Sequence, residues 1–278
     1  MPPLLIIGMP VYNSEAYIRE AIDSLLSQTF SNFQLIISDN ASTDSTGAIC
    51  KEYVQLDQRI RYIRQDKNIG AAANYRYVLQ AADVCKYFMW AAGDDTWSQD
   101  WVESLINEFN ETDVGLFGCY REGGGLTIQP PTYRKGEYFQ FFLDSDKTGK
   151  CLFTYSIFLQ SFLFKSNKNY FDCPVGSDQV YLLHLLSFGS LRSISAGCLN
   201  YRIHDASLSV QQQSARNRLQ TVFSRFPFVY YVLAYQAVPV HFRIVMPALI
   251  FYKYLKEQVP LFIGLVHSVI RCSLRFFK

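Results

Sequence analysis

The sequence predicts an α/β fold with a mainly parallel, Rossmann-like sheet flanked by helices. Two observations lead to this prediction. Over roughly the first hundred residues, apolar runs of strand length alternate with patterns of helical spacing. A cluster of polar residues also follows each apolar run. Strands and helices that alternate at this pace favour right-handed crossovers, and therefore a parallel, doubly wound sheet.

The first two predicted strands cover residues 4–9 and 33–38, which are apolar and rich in β-formers. A helix is expected between them, and Ser14 can cap it. Its apolar face repeats at helical spacing, at Ile18, Ala21, Ile22, Leu25 and Leu26.

The third strand is predicted over residues 61–64 and leads into a helix over 71–82. The fourth covers 87–92, and Ser98 stands after it at a position typical of a helix N-cap. The apolar positions of the helix after Ser98 are Trp101, Val102, Leu105, Ile106 and Phe109.

Polar side chains follow the ends of all four predicted strands. They are Tyr12 with Asn13, Asp39, Asn68, and Asp94 with Asp95. Each cluster alone has a structural explanation as a helix cap or a turn. The carboxyl ends of parallel strands meet at one edge of the sheet, where open α/β sheets bind ligands. Together, the clusters therefore predict one ligand that crosses this edge.

The adjacent carboxylates Asp94 and Asp95 follow the fourth strand after Gly93. Two neighbouring carboxylates repel each other unless a cation lies beside them. Hard divalent ions that also hold phosphate oxygens prefer such oxygen ligands. The alternative is a solvated type I turn, which the dipeptide alone would favour.

Composition excludes several classes of protein. The chain has 278 residues, of which 49% are hydrophobic and 18% charged, so it can bury a full core and is not disordered. Its seven cysteines are scattered without a C-x-x-C pair, which predicts neither a disulfide framework nor a zinc site. We expect a reducing, cytoplasmic location, since residues 1–10 have no basic segment typical of a secretory signal.

Charge is distributed unevenly between the two parts of the chain. From Ala206 onward there are nine Lys or Arg residues against the single acid Glu257, with many aromatic residues between them. This pattern favours an anionic membrane surface over nucleic acid. The longest uncharged run there, 226–242, has 17 residues and contains two prolines. It is too short to span a bilayer, so we expect peripheral docking on the cytoplasmic face. The alternative is a helical pair that completes the core or forms a dimer interface.

Four segments in order resemble the inverting family 2 glycosyltransferases, which have the nucleotide-sugar-binding fold called GT-A. They are P-V-Y-N-S-E-A-Y-I-R-E-A-I-D-S-L-L-S-Q-T at 10–29, L-I-I-S-D-N-A-S-T-D-S-T at 35–46, K-N-I-G-A-A-A-N at 67–74 and A-A-G-D-D at 91–95. Weaker matches follow at G-S-D-Q-V (176–180) and Y-R-I-H-D-A-S-L-S (201–209). The resemblance covers about residues 4–209 and is specific, because four motifs occur at the family's spacing.

The resemblance implies a nucleotide-sugar site. Asp39 would accept a hydrogen bond from uracil N3–H, and Asp94 would face the ribose or sugar. The other residues implied to line the nucleotide are Pro10, Tyr12, Asn13, Asn68 and Gly70. Asp95 would bind Mn²⁺ or Mg²⁺ on the diphosphate, where a cation neutralises charge on the leaving group.

The resemblance also implies a catalytic base and two phosphate-side residues. Asp178 matches the base that deprotonates the acceptor hydroxyl, although it or Ser177 could simply cap a helix. His204 would lie near the metal or diphosphate, and Arg202 could contact phosphate. Two departures from the family pattern are Gly93, where many relatives have the first acid of D-x-D, and Ser177, where a Glu is common.

The predicted function is transfer of a hexose or N-acetylhexosamine from a UDP-sugar to a saccharide or lipid-linked acceptor, in polysaccharide or glycolipid synthesis. One alternative is a nucleotidyltransferase, but that class generally has a Gly-rich loop after its first strand, and this chain has none there. The other alternative is an inactive scaffold. The predicted organisation is a GT-A domain over 1–210, with a nucleotide-binding half over about 1–120 and an acceptor-side half over about 121–210. A helical, basic and aromatic extension covers 211–278.

Overall fold

One mixed β-sheet organises the structure, a computed structural model that describes residues 2–144, 149–165, 177–204, 239–244 and 246–249. Its strands are β1 (Leu5–Val11), β2 (Phe33–Asp39), β3 (Ile60–Arg64), β4 (Tyr87–Trp90), β5 (Thr96–Trp97), β6 (Asp113–Glu122), β7 (Thr127–Ile128), β8 (Ile157–Leu159) and β9 (Ser190–Tyr201). The α-helices are α1 (Ile18–Leu26), α2 (Thr46–Leu56), α3 (Ala71–Gln80), α4 (Trp101–Asn107), α5 (Tyr138–Leu143), α6 (Gln160–Lys165) and α7 (Ser177–Leu185).

The parallel half of the sheet follows the sequence prediction. Its strand order is β3-β2-β1-β4, and each of these pairs is parallel. The register aligns Val11 with Asp39 and Asp39 with Arg64. The strand ends that carry the predicted polar clusters therefore lie along one edge, and the predicted α/β class is confirmed.

The other half of the sheet mixes strand directions. β8 lies between β4 and β6 and is antiparallel to both, whereas β9 runs parallel to β6. The short strand β5 pairs antiparallel with the end of β9. This pairing holds the chain just after Asp95 against the chain just before Arg202, so it joins the two regions of the predicted site.

Two predicted helix caps differ from the structure. The N-cap residue of α4 is Asp100, and the Ser98 hydroxyl instead donates to Asp100 and accepts from the N–H of Cys198. The prediction for Ser98 is therefore wrong, because the β5–β9 pairing ties this residue to β9. At α1, Ser14 accepts the N–H groups of Tyr17 and Ile18 through its backbone carbonyl, not its hydroxyl.

The core lies against the sheet and is largely aromatic where the two halves meet. Trp90 at the end of β4 is buried, and its ring packs edge-on to Phe88, Phe158 and Tyr181 at centroid distances of 4.8, 5.8 and 6.1 Å. Tyr181 belongs to α7, so this contact brings α7 to the carboxyl end of β4.

Most of the predicted extension over 211–278 lies outside the described residues. In its described part, Phe242 packs on Tyr138 and Phe139 of α5 at 5.0 and 5.2 Å, and Met246 is buried. This stretch of the extension therefore contributes to the core. Within the described ranges, no helix combines the length and apolar character needed to cross a bilayer.

Candidate functional site

Two loops that follow β1 and β2 are joined by Asn13. Asn13 has a left-handed backbone, with φ of 50°, and its N–H donates to the Ser42 hydroxyl at 3.0 Å. Its side-chain Oδ1 accepts the N–H of Thr43 at 2.8 Å. The side chain of Asn13 therefore ties the loop after β2 to the loop after β1. Tyr12 beside it is 46% exposed and offers a ring face to a ligand, whereas Pro10 is buried within β1.

Asp39 at the end of β2 is completely buried. Its Oδ2 accepts from the Tyr62 hydroxyl at 2.7 Å and from an Arg64 N–H at 2.6 Å, and its Oδ1 accepts the N–H of Ser42 at 2.8 Å. Burial alone would raise the pKa of Asp39, but these hydrogen bonds and the Arg64 charge outweigh it and lower that pKa. These three donors cover the Asp39 carboxylate in this arrangement, and its predicted contact with a base stays a prediction.

Asn68 and Gly70 form the loop between β3 and α3. The Asn68 Oδ1 accepts from the Asn40 amide at 3.0 Å and from the Gly70 N–H at 2.9 Å, while Ile69 donates its N–H to the Asn40 Oδ1 at 2.8 Å. Gly70 has φ of 87°, a conformation that favours glycine, and precedes the first residue of α3. Asn40 therefore holds this loop against the end of β2.

Asp95 is 1% exposed, and its two carboxylate oxygens have different surroundings. Oδ1 accepts the backbone N–H of Arg202 at 2.8 Å, whereas Oδ2 is buried without a hydrogen-bond partner among the described residues. Burial and the adjacent charge of Asp94 raise the pKa of Asp95 to about 8. A buried carboxylate oxygen without a donor is a site where a cation would stabilise the charged form.

The segment Tyr201–His204 crosses the Asp94–Asp95 pair and is held by α1 and the turn before it. His204 Nε2 lies 3.0 Å from the Asp94 Oδ2. The Arg202 guanidinium pairs with Glu20 at 2.5 Å and lies over the Tyr17 ring, 4.5 Å from its centroid. The Tyr17 ring also packs on His204, with centroids 4.6 Å apart. Both predicted phosphate-side residues therefore lie beside the carboxylate pair.

The donors at Asp94 and Asp95 are compatible with a divalent ion. Within the described ranges, no group of three or more His, Cys, Asp or Glu side chains could hold a metal. Mg²⁺ sites in nucleotide enzymes commonly use one or two carboxylates and take their other ligands from phosphates and water. Asp95, with its unbonded oxygen, and neighbouring Asp94 fit that kind of site, so Mn²⁺ or Mg²⁺ suits the residues present.

Asp178 is the second residue of α7, and its side chain lies outside what the structure describes. Tyr181, three residues later in the same helix, packs on Trp90 in β4. The middle of α7 thereby packs against the strand that leads to Asp94 and Asp95. The role predicted for Asp178 stays a prediction.

Four residues that the sequence did not single out belong to this region: Tyr17, Glu20, Arg64 and Tyr155. The Tyr155 hydroxyl lies 3.4 Å from that of Tyr75. Burial, Tyr75 and the nearby carboxylates raise the pKa of Tyr155 well above its usual value. Tyr17 and Glu20 lie within the motif at 10–29, but their partner Arg202 is distant in the chain, so no local signal identified them.

Comparison with known proteins gives a family match over most of the sheet. The family model "Glycosyl transferase family 2" matches residues 6–171. An uncharacterized glycosyltransferase of Haemophilus influenzae is 24% identical over 245 residues, which is 83% of this chain and 75% of that protein. Glycosyltransferase GlyA of Streptococcus pneumoniae is 34% identical over 123 residues, and the putative teichuronic acid biosynthesis glycosyltransferase TuaG of Bacillus subtilis 34% over 104 residues. These two matches cover 42% and 37% of this chain but only 17% and 41% of GlyA and TuaG.

Solved structures share the fold. S. aureus TarS 1-349 in complex with UDP-GlcNAc has a TM-score of 0.65 at 14% identity, with 91% of this chain and 72% of that chain covered. The mannosyltransferase PcManGT of Pyrobaculum calidifontis, in complex with GDP-Man and Mn²⁺, has a TM-score of 0.55 at 12% identity, with 99% and 81% covered. At these identities the likeness shows the fold alone, and it confirms the expected GT-A architecture.

Proposed function

This chain belongs to glycosyl transferase family 2, and from that premise we propose that it transfers a sugar from a UDP-sugar to an acceptor hydroxyl. The observation that carries the proposal is a row of groups at the carboxyl edge of the sheet. Tyr12, the Asp39–Arg64 pair and the Asp94–Asp95 pair lie there, at the ends of adjacent parallel strands. A nucleoside, a diphosphate and a sugar in sequence match that row of groups. The UDP-GlcNAc complex of TarS and the role named for TuaG support a UDP-sugar donor and polysaccharide synthesis.

The nucleoside is proposed to lie across the ends of β1, β2 and β3. Tyr12 presents its exposed ring to the base. Asn13 and Asn68 are proposed to lie on either side of the nucleoside, since each side chain holds the backbone of a loop in place. Gly70 leaves the nucleotide side of α3 open, because no atom lies within 4 Å of where its Cβ would be. Asp94 then faces the ribose or sugar.

The diphosphate is proposed to lie at Asp95, with Mn²⁺ or Mg²⁺ held by Asp95 and supported by Asp94. When bound, such an ion neutralises the negative charge that develops on the departing diphosphate. Arg202 and His204 add positive or hydrogen-bonding groups on the same side, and both already contact this acidic pair. Such an ion would favour the charged form of Asp95, which burial and Asp94 otherwise disfavour.

Asp178 is proposed as the base that takes the proton from the acceptor hydroxyl. The oxygen of that hydroxyl attacks the anomeric carbon from the face opposite the diphosphate, the C1–O bond to the diphosphate breaks, and the configuration inverts. The proton moves to the Asp178 carboxylate, and no covalent sugar–enzyme intermediate forms. The packing of Tyr181 on Trp90 supports this role, because it keeps α7 near β4.

A donor panel tests the proposed function. The full chain is incubated with Mn²⁺ and UDP-, GDP- or dTDP-sugars, and free nucleotide release is measured with and without saccharide acceptors. We expect turnover with one or more UDP-sugars. Turnover with GDP-sugars alone would overturn the nucleotide assignment, and binding of no nucleotide at all would favour the inactive scaffold. Formation of nucleotide-sugar from a sugar phosphate would instead indicate a nucleotidyltransferase.

Glu20 offers a prediction about Arg202. Glu20→Gln should raise the KM for the donor about two- to fivefold with little change in kcat, because Arg202 loses its charged partner in a partly exposed pair. Glu52→Gln is the matched control, since it breaks an exposed ion pair with Arg19, which lies next to Glu20 in α1. A kcat loss without a KM change would contradict a positioning role for Glu20.

The extension beyond residue 210 is proposed to dock on anionic membrane through its basic and aromatic residues, which would bring the domain to a lipid-linked acceptor on the cytoplasmic face. Flotation with phosphatidylglycerol liposomes tests this. The full chain should float, while a variant with the Lys and Arg residues after 250 changed to Gln should stay in the soluble fraction. Equal recovery of both in the soluble fraction would rule out docking, and would favour packing on the core as seen for Phe242.

A further inference from the structure

The segment 202–204 follows β9 without regular secondary structure, and it carries both side chains proposed to act at the diphosphate. Its backbone is tied to the carboxylate pair where the Arg202 N–H donates to Asp95 at 2.8 Å. A backbone contact does not by itself orient a long side chain. The Arg202 and His204 side chains therefore need contacts of their own if they are to have a fixed direction before a ligand arrives.

The Tyr17 ring supplies such contacts to both side chains. The guanidinium carbon of Arg202 lies 4.5 Å from the ring centroid, and the His204 ring centroid lies 4.6 Å from it at an interplanar angle of 42°. At their polar ends, Arg202 pairs with Glu20, and His204 Nε2 lies 3.0 Å from the Asp94 Oδ2. An acid therefore holds the end of each side chain, and one shared ring contacts both.

Tyr17 has no other clear use for its side chain. It does not belong to the hydrophobic core, and its hydroxyl has no hydrogen-bond partner within the described ranges. Its backbone N–H donates to the Ser14 carbonyl, and its carbonyl accepts the N–H of Ala21. Because those two bonds do not depend on the side chain, the contacts with segment 202–204 are what an aromatic residue adds at this position.

The start of α1 packs closely on the turn that carries Asp94. A Cβ on Gly93 would lie 3.2 Å from the Ser14 Oγ and 3.4 Å from the Ile18 Cδ1. Since glycine has no side chain, the turn before α1 can lie directly against the backbone that leads to Asp94. This close approach gives Tyr17 a fixed place beside the carboxylate pair.

We propose that Tyr17 is a positioning residue for the diphosphate, and that its ring aligns Arg202 and His204 toward the phosphate oxygens of the donor. A guanidinium over an aromatic face is attracted to the ring and stacks on it in a defined plane. The donor then meets two groups that already have a direction, so less conformational entropy is lost when its diphosphate binds. This inference rests on the proposed function, because it takes the diphosphate to lie beside Asp95.

The test compares UDP with uridine, which has the same nucleoside and no diphosphate. UDP affinity is measured by calorimetry and uridine affinity by NMR titration, both with Mn²⁺. Tyr17→Leu removes the aromatic face and should weaken UDP binding about 3- to 10-fold, the range expected for loss of a cation–π contact, while uridine affinity stays unchanged. Tyr17→Phe keeps the face and should bind UDP as the wild type does.

Three results would overturn the proposal. They are an unchanged UDP affinity in Tyr17→Leu, an equal loss of uridine affinity, and a Tyr17→Phe variant as weak as Tyr17→Leu, which would assign the effect to the hydroxyl. If Tyr17→Leu lowers the melting temperature, the same substitution is made in an Arg202→Ala, His204→Ala background. It should cause no further loss of UDP affinity there, and a loss as large as in the wild type would show that Tyr17 does not act through these two residues.

Tyr53→Leu is the matched control, because Arg19 lies over the Tyr53 ring at 6.0 Å and neither residue has a proposed contact with the nucleotide. It should leave UDP affinity unchanged, and a loss equal to that of Tyr17→Leu would count against a specific role for Tyr17. Wild-type protein that binds neither UDP nor uridine would overturn the proposed function itself. Normal UDP binding in Tyr17→Leu would overturn only the role of Tyr17.

Discussion

Replacing Asp178 with asparagine should lower turnover by about 10²- to 10⁴-fold, the range typical for loss of a general base, while UDP affinity stays near the wild-type value. The asparagine amide has nearly the same shape but cannot take the proton from the acceptor hydroxyl. Asp178 is proposed to contact only the acceptor hydroxyl, on the face of the sugar opposite the diphosphate, so UDP binding should not depend on it. Acceptor-dependent nucleotide release and calorimetric UDP binding measure the two effects separately.

Ser177→Ala is the control for Asp178, because Ser177 begins the same helix. If Asp178 served only as a helix cap, Asp178→Asn would leave both stability and turnover nearly unchanged, because asparagine caps helices as well as aspartate does. Thermal unfolding and turnover of both variants distinguish these cases. An Asp178→Asn protein with near-normal turnover would contradict its assignment as the base.

Replacing Asp95 with asparagine should abolish measurable turnover and remove the part of UDP affinity that depends on Mn²⁺. The expected loss in turnover is at least about 10²-fold, since a metal ion typically contributes several kcal/mol to charge stabilisation. An amide oxygen can still accept the Arg202 N–H, so the contact with the segment after β9 should survive. UDP titrations with Mn²⁺ and with EDTA give the cation-dependent part directly.

Folding is not expected to suffer in Asp95→Asn. The variant removes a buried carboxylate whose pKa is raised to about 8, so its ionisation near neutral pH opposes folding when no cation is bound. The matched control is Asp100→Asn, which makes the same change at an acid that accepts a hydrogen bond from Ser98 and has no proposed contact with the nucleotide. Cation-dependent UDP binding that persists in Asp95→Asn would refute the metal assignment.

The local pattern was sufficient to predict much of the fold. The runs at 4–9, 33–38, 61–64 and 87–92 became β1 to β4 with ends shifted by two residues or fewer. Such runs are informative because a strand buried on both faces must be apolar along its length, and a loop must follow where the strand leaves the sheet. The same reasoning placed the polar clusters at one edge, and the strand registers agree.

The mixed half of the sheet was not predictable in this way. The pairing of β8 between β4 and β6 depends on contacts between residues far apart in the chain, and β8 has only three residues. Short strands give little periodic signal. The predicted cap at Ser98 failed for the same reason, because its partner Cys198 lies in β9.

By itself, the sequence determined the parallel half of the sheet and the edge at which its acids gather, because both follow from local apolar periods and from where each strand stops. Only the tertiary structure decided what surrounds those acids. It seals Asp39 under Arg64 and Tyr62, and it leaves one Asp95 oxygen buried beside the Arg202 N–H without a donor of its own among the described residues. The physical reason is that solvation and hydrogen bonding of a buried carboxylate depend on neighbours in space, and those neighbours come from strands distant in the chain.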